Sequence, residues 1–261
     1  MNMGVICVFV NQKGGVGKTT SAINIGAFLA EAGKTVLLVD FDAQGNLSSG
    51  VGAKPPKPGI YELLSGMASH EEAIKKTAVK NLDVIPASTD LSGAAVELIE
   101  QKERNYFLKK ALAPIRDKYD FILIDCPPSL GQLTMNGMAA ADLVLIPMQC
   151  EYFAMEGLKQ LLHTTKRIQE NLNPSLKIGG IFFTMYDPRT RLANDVVKLV
   201  SATYKDAVFD TIIPRNIRLS EAPSYGMPIS LYDRQCPGAC AYSAITQELI
   251  RRIPEVNRKG K

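Results

Sequence analysis

Residues 11–20 read Asn-Gln-Lys-Gly-Gly-Val-Gly-Lys-Thr-Thr, and they stand between an apolar run at residues 6–10 and a helical pattern at residues 21–32. A strand, a glycine-rich loop and a helix in this order form the context in which backbone N–H groups bind phosphate. The glycines at 14, 15 and 17 allow tight turns, and the helix start adds the positive end of its dipole. A turn that only packs a helix on a sheet would not explain the Lys-Thr pair. The stretch therefore predicts a phosphate-binding loop.

Two lysines belong to this loop, and we expect both at the triphosphate of a nucleotide. Lys18 is placed to meet the β- and γ-phosphates, and the Thr19 hydroxyl is placed to coordinate Mg²⁺. An ordinary loop of this kind has glycine five residues before Gly17, where this chain has Gln12, and Lys13 comes next. The predicted nucleotide-binding residues are Lys13, Gly14, Gly15, Val16, Gly17, Lys18, Thr19 and Thr20.

The wider pattern of apolar residues predicts the fold class. Five short apolar runs do not alternate with polar residues, which is typical of parallel strands buried on both faces. Helical patterns separate them, and one apolar stripe from Leu158 to Leu172 stops near Asn173 and Pro174. We predict an α/β fold with a single doubly wound, mostly parallel sheet, helices on both faces and ligands at the carboxyl ends of the strands. The runs are residues 6–10, 36–39, 121–124, 143–146 and 178–183.

Length and composition exclude several classes of protein. The 261 residues are 46% apolar and 21% charged, which is ordinary globular composition and argues against a disordered or fibrous chain. The five cysteines are an odd, scattered set, so we expect a reducing cytosol rather than a disulfide framework. No linker or repeat interrupts the pattern, and residues 1–261 are expected to form one domain with a basic tail at about 251–261.

Three carboxylates follow predicted strands at the edge where the phosphates should lie. Asp40 and Asp42 leave the second apolar run, and because they are two apart on an extended segment they point to opposite sides. Asp125 ends the third run, and a buried strand that delivers a carboxylate beside the loop suits a Mg²⁺ contact through water. Asp40 is expected to order either the Mg²⁺ shell or the loop. Aspartate also ends many strands without any function.

The stretch from Lys13 to Thr19, Lys-Gly-Gly-x-x-Lys-Thr, resembles the deviant Walker A pattern of the ParA and MinD branch of P-loop ATPases. The likeness to ParA/Soj-type partitioning ATPases covers nearly the whole chain. It implies that Lys13 and Lys18 are both catalytic, with Lys13 reaching the partner's phosphates across a nucleotide-sandwich homodimer. It further implies that Asp42 positions the attacking water and that Pro214 and Asn216 lie against adenine. The other matching stretches are residues 40–46, 125–129, 184–190 and 213–226.

The same resemblance implies a function. A protein of this kind is expected to bind ATP and Mg²⁺, to form a dimer that holds double-stranded DNA without sequence preference, and to leave it after slow hydrolysis. A ParB-type centromere-binding partner is expected to accelerate hydrolysis. The implied location is the cytoplasm, in association with the nucleoid.

The charge distribution agrees with a nucleic-acid partner. From residue 186 onward there are twelve Lys and Arg against eight Asp and Glu, whereas residues 1–185 hold eighteen of each. A phosphate-backbone footprint needs several cations on one face, although surface arginines are usually only solvated. The candidate DNA contacts are Arg189, Arg218, Arg215, Arg251 and Arg252.

Other functions remain alternatives from the sequence. A MinD-like membrane-surface ATPase needs a terminal amphipathic helix, but the last predicted helix, at about residues 241–253, is expected to stop at Pro254 before a polar tail. An iron protein of the nitrogenase type needs cysteines around a cluster, and Cys126 and Cys150 are explained equally well as small apolar residues. A metabolic phosphotransferase would need an acceptor site that the sequence does not reveal. A ParA-like ATPase could also position a cargo other than a chromosome.

Overall fold

The computed structural model describes residues 4–97 and 103–258. Its described strands form one seven-stranded sheet in the order β3-β4-β2-β5-β1-β6-β7. Every neighbouring pair is parallel except β3 with β4. The predicted mostly parallel α/β sheet is therefore confirmed. The strands are β1 Val5–Phe9, β2 Val36–Asp40, β3 Lys75–Lys76, β4 Leu82–Ile85, β5 Phe121–Asp125, β6 Leu143–Gln149 and β7 Lys177–Thr184.

Helices cover both faces of the sheet. The helices of the described residues are α1 Lys18–Glu31, α2 Asn46–Gly50, α3 Ile60–Leu64, α4 His70–Ala73, α5 Leu91–Glu97, α6 Phe107–Leu112, α7 Gln132–Ala140, α8 Ala154–Asn171, α9 Arg191–Thr203, α10 Arg218–Glu221, α11 Ile229–Tyr232 and α12 Pro237–Arg258. Short 3₁₀ turns span Ala113–Lys118, Lys205–Ala207 and Ala222–Tyr225.

Two apolar cores lie on opposite sides of the sheet, which explains why the strands do not alternate. In β1, Val8 packs into one core with α7 and α8, while its neighbour Phe9 packs into the other with α1 and α12. Successive side chains of a strand point to opposite faces, so a sheet covered on both faces needs apolar residues at every position.

The strand register brings the carboxylates together. Asp40 at the end of β2 is the direct partner of Asp125 at the end of β5, and Phe9 at the end of β1 is the other neighbour of Asp125. The loop that follows β1 therefore leaves the sheet beside both carboxylates. This edge is the ligand-binding edge expected for an open parallel sheet.

Strands β3 and β4 and the end of the last helix differ from the sequence prediction. Strand β4 was not predicted, because Asp83 interrupts its apolar run; that carboxylate accepts hydrogen bonds from Tyr119 and Lys76. Helix α12 begins at Pro237 and runs past Pro254 to Arg258, so the predicted stop at Pro254 is wrong. A proline in the last turns removes one N–H, a cost that a 22-residue helix can bear near its end. Residues 259–261 of the expected basic tail lie outside the described residues.

Across residues 4–97 and 103–258, none of the helices combines the length and the apolar character that a membrane crossing requires.

Candidate active site

The loop between β1 and α1 has the backbone of a phosphate cradle. Gly15 and Gly17 adopt positive φ angles of 73° and 87°, a left-handed conformation that favours glycine. Gly14 does not need this freedom, and a Cβ added there would meet only Pro128 at 3.9 Å. Gly17 is the N-cap of α1, and the first turn of that helix carries no acidic residue. The positive end of the α1 dipole is therefore open to an anion.

Lys18 is buried at the base of this loop with 6% of its surface exposed. Its Nζ donates to the Lys13 carbonyl at 3.4 Å. Burial lowers the pKa of Lys18, and the nearby Asp125, Cys126 and Asp42 oppose that effect. Within the described residues, the buried ammonium thus donates only to the Lys13 carbonyl, and a bound phosphate would compensate its charge.

Thr19, in the first turn of α1, contacts Asp125 at the end of β5. The Thr19 hydroxyl donates to Asp125 Oδ2 at 2.6 Å. Burial, followed by the charge of Asp40, raises the pKa of Asp125 to about 8. Asp125 Oδ1 is buried and accepts no hydrogen bond within the described part of the chain. Since leaving a buried acceptor unpaired costs about 1–3 kcal/mol, this orphaned oxygen fits a hydrated Mg²⁺ ion.

Asp40 and Asp42 differ in burial and in their hydrogen-bond partners. Asp40 is fully buried, and its Oδ2 accepts the Ser48 N–H at 2.8 Å and the Ser48 hydroxyl at 2.6 Å. Its Oδ1 accepts the Asp42 N–H at 3.3 Å. Burial raises the pKa of Asp40 to about 6, against the effect of the Ser48 hydrogen bonds. Of the two roles expected for Asp40, this geometry favours ordering the loop over ordering the metal shell.

Asp42 is only partly buried, and its Oδ1 accepts the Gln44 N–H at 3.1 Å. Its charge acts on both Lys18 and Asp125, so it lies near the predicted phosphate and metal groups. A carboxylate near those groups and with access to solvent is suited to hold a water molecule.

The second lysine lies apart from the first. The Lys13 ammonium forms an ion pair with Glu151, and both side chains are about half exposed, at 53% and 54%. The pair borders a cavity of about 420 Å³ between residues 11–13 and the start of α8. The Lys13 ammonium is therefore held by the segment between β6 and α8. The contact with Glu151 could not be predicted from the sequence, because 138 residues separate it from Lys13.

The ends of strands β6 and β7 both contact the loop. The buried Thr184 hydroxyl donates to the Val16 carbonyl at 2.8 Å, and Gln149 donates to the Gly15 carbonyl at 3.2 Å. Neither contact follows from spacing in the sequence. Both contacts hold backbone carbonyls of the loop in place.

The predicted adenine contacts lie just beyond β7. Tyr186 pairs with Pro214 through an isolated bridge, and the Arg215 N–H donates to the Tyr186 carbonyl at 3.0 Å. Asn216 Oδ1 accepts the Arg218 N–H at 3.0 Å and so orders the turn that begins α10. Residues 214–216 are therefore held at the end of β7, the strand whose Thr184 also contacts the phosphate-binding loop.

The candidate DNA-binding arginines do not form one group. Arg189 is paired with Asp187, whose pKa this hydrogen bonding lowers to about 2, and the charge of Arg215 adds to that effect. Arg218, in α10, is half exposed. It pairs with Glu221 of the same helix and with Asp233, which follows α11.

Arg251 and Arg252 lie elsewhere, beside a cavity near the beginning of β7. The Arg252 side chain is only 19% exposed, pairs with the buried Glu248 at 2.6 Å and lies 4.4 Å from the centre of the Phe209 ring. This geometry argues against the DNA contact expected for Arg252, because its charge is already neutralised within the fold.

All five cysteines are free, and Cys126 is buried as expected for a small apolar residue. Among the described residues, no three or more His, Cys, Asp or Glu side chains are grouped so that they could hold a metal.

Comparison with known proteins places the chain in a family. A family model described as an AAA domain matches residues 3–178. The chain is 62% identical over 250 residues to the chromosome-partitioning ATPase Soj of Treponema pallidum, covering 96% of this chain and 98% of that protein. It is 50% identical to the sporulation initiation inhibitor protein Soj of Bacillus subtilis, with 95% and 98% covered.

Among solved structures, it matches one titled cobyrinic acid a,c-diamide synthase from Mycobacterium smegmatis, with bound ATP analog and magnesium. The TM-score is 0.83, the identity is 39%, and 95% of each chain is covered. That title describes a different activity, but the sequence identity to the two Soj proteins is higher. The chain belongs to the Soj/ParA family of chromosome-partitioning ATPases.

Proposed function

We propose that this protein is a Mg²⁺-dependent ATP hydrolase that works as a slow switch in chromosome partitioning. The observation that carries the proposal is the meeting of four groups at one sheet edge: the buried Lys18, the Thr19–Asp125 pair with its orphaned oxygen, and the partly exposed Asp42. The ATP analog and magnesium in the related solved structure support the choice of ligand.

Each group has a role in hydrolysis. The phosphates would lie on the N–H groups of residues 14–20, with Lys18 against the β- and γ-oxygens. Thr19 and Asp125 would hold Mg²⁺, which neutralises charge on the phosphates when bound. Asp42 would orient the attacking water and accept a hydrogen bond from it. Pro214 and Asn216 would lie against the adenine.

The second lysine supports a switch between single and paired chains. Lys13 points outward to Glu151, so it would be free to reach the phosphates of a second copy once that pair opens. Two chains would then close around two nucleotides, and each would complete the other's site. A ligand that favours the pair by a few kcal/mol is sufficient to shift most molecules into it.

The paired form is proposed to bind DNA through phosphate contacts. Arg189, Arg215 and Arg218 are the proposed contacts, and Arg251, which lies near the beginning of β7, is a further candidate outside this group. A ParB-type protein is the proposed activator of hydrolysis, and nucleoid association follows from DNA binding. The names of the related Soj proteins support a chromosome rather than another cargo.

The test compares wild type with Asp42→Ala. We expect the variant to keep ATP binding and DNA binding but to release no phosphate, because the loss is confined to water positioning. Fluorescence anisotropy with arbitrary duplex DNA should show binding with ATP but not with ADP, and affinity should fall steeply with salt. Normal phosphate release by the variant would refute the role of Asp42, and DNA binding independent of nucleotide would refute the switch.

A further inference from the structure

Ser48 connects three segments behind the proposed catalytic loop. It lies in α2, and only 2% of its surface is exposed. Its N–H and hydroxyl both donate to Asp40 Oδ2, at 2.8 and 2.6 Å. Its hydroxyl oxygen in turn accepts the N–H of Ala87, which follows β4, at 2.9 Å. One side chain thus joins the end of β2, the start of α2 and the end of β4.

The loop that carries Asp42 is held between these points. Asp40 Oδ1 accepts the Asp42 N–H, and the Gly45 N–H donates to the Asp42 carbonyl at 3.0 Å. Gly45 has a φ of 64°, and a Cβ there would lie 3.3 Å from the Ala87 carbonyl oxygen. The loop therefore turns in a confined space, where Asp40 and the Ala87 segment set its two limits.

Within the described residues, the Ser48 hydroxyl is the only side-chain donor to Asp40, and the other two donors are backbone N–H groups. Its two oxygens accept three hydrogen bonds, two of them from Ser48 and the third from the Asp42 backbone. Rotation of the Asp40 carboxylate would move the acceptor that holds the Asp42 N–H. Loss of the Ser48 hydroxyl also leaves the Ala87 N–H without its partner in the interior.

We propose that Ser48 is a positioning residue for hydrolysis: its hydroxyl fixes the Asp40 carboxylate, which fixes the backbone of Asp42. The inference rests on the proposed function, since it assigns Asp42 to the attacking water. Ser48 has no direct contact with substrate in this scheme. It acts on the reaction only through the orientation of Asp42.

The experiment compares Ser48→Ala with Ser48→Thr, which keeps a hydroxyl, and with Ser49→Ala, an exposed serine of the same helix. We expect Ser48→Ala to lower kcat by about tenfold or more, because small displacements of a positioned group are costly, while the KM for ATP changes less than about twofold. Ser48→Thr should recover most of the rate, and Ser49→Ala should match wild type. A kcat for Ser48→Ala equal to that of wild type would overturn the proposal.

A second readout does not depend on ATPase activity. Hydrogen exchange of the nucleotide-free proteins should show faster exchange at residues 42–45 in Ser48→Ala than in Ser49→Ala, with equal protection of α12. Unchanged exchange at residues 42–45 would overturn the positioning role even if the rate fell. A wild-type protein without ATPase activity would instead count against the proposed function, and the exchange result would still decide the role of Ser48.

Discussion

Asp125 is a single side chain whose burial lowers the stability of the fold. It is completely buried, one of its oxygens has no partner in the described structure, and its neighbour across the sheet is another carboxylate. Nothing in apolar packing needs an acid at this position. Such a residue is expected where function, not stability, selects it.

The free energy of unfolding should depend on pH through Asp125. Burial raises its pKa from 3.8 to about 8, so between these values the unfolded chain has lost a proton that the folded chain retains. The contribution of Asp125 to the free energy of unfolding is therefore fully present below about pH 4, and it is lost as the pH rises to 8. Asp125→Asn should make the nucleotide-free protein more stable at pH 8, by about 1–3 kcal/mol, and should abolish stabilisation by Mg-ATP.

Thermal unfolding of the nucleotide-free proteins at several pH values between 5 and 8 provides the measurement. Asp117→Asn, at an exposed carboxylate, is the matched control and should follow wild type. A wild-type protein that gains stability relative to Asp125→Asn as the pH rises would contradict the assigned environment.

Helix α1 and its preceding loop form the element on which the site depends. Gly17 is in the left-handed region at the N-cap, and a Cβ there would meet Thr184 at an ordinary 3.7 Å. Gly17→Ala should therefore lower stability by about 1–2 kcal/mol through backbone strain alone. Gly14→Ala is the control, since its backbone is not left-handed and its surroundings are open. Urea unfolding of the nucleotide-free variants checks this, and equal losses at both positions would contradict it.

The same element shows what the sequence can and cannot predict. The loop at residues 11–20 was predictable because each of its functions depends on neighbouring residues in a fixed order. Glu151, Thr184 and Ser48 were not, because their partners are distant in the chain or are backbone atoms that any residue could supply. Strand β4 was missed for a related reason: its Asp83 is buried by a contact with Tyr119 from another segment.

At the scale of the whole molecule, the ion pairs reduce the number of arginines that are candidates for DNA contact. Arg189→Ala should weaken DNA binding several-fold and reduce its salt dependence, with no loss of stability, because its side chain is 86% exposed. Arg252→Ala should leave DNA binding unchanged. It should lower the free energy of unfolding by about 1–3 kcal/mol, since it leaves the buried Glu248 without its cation. Anisotropy with duplex DNA and urea unfolding separate the two effects. An Arg252→Ala protein of normal stability that fails to bind DNA would contradict this division.

The bound nucleotide is expected to determine whether the protein is a monomer or a dimer. Analytical ultracentrifugation of Asp42→Ala with Mg-ATP, with Mg-ADP and without nucleotide tests it most directly. With Mg-ATP the species should have twice the mass of the 28.4 kDa chain, and under the other two conditions it should have the mass of a single chain. The same mass under all three conditions would contradict the account.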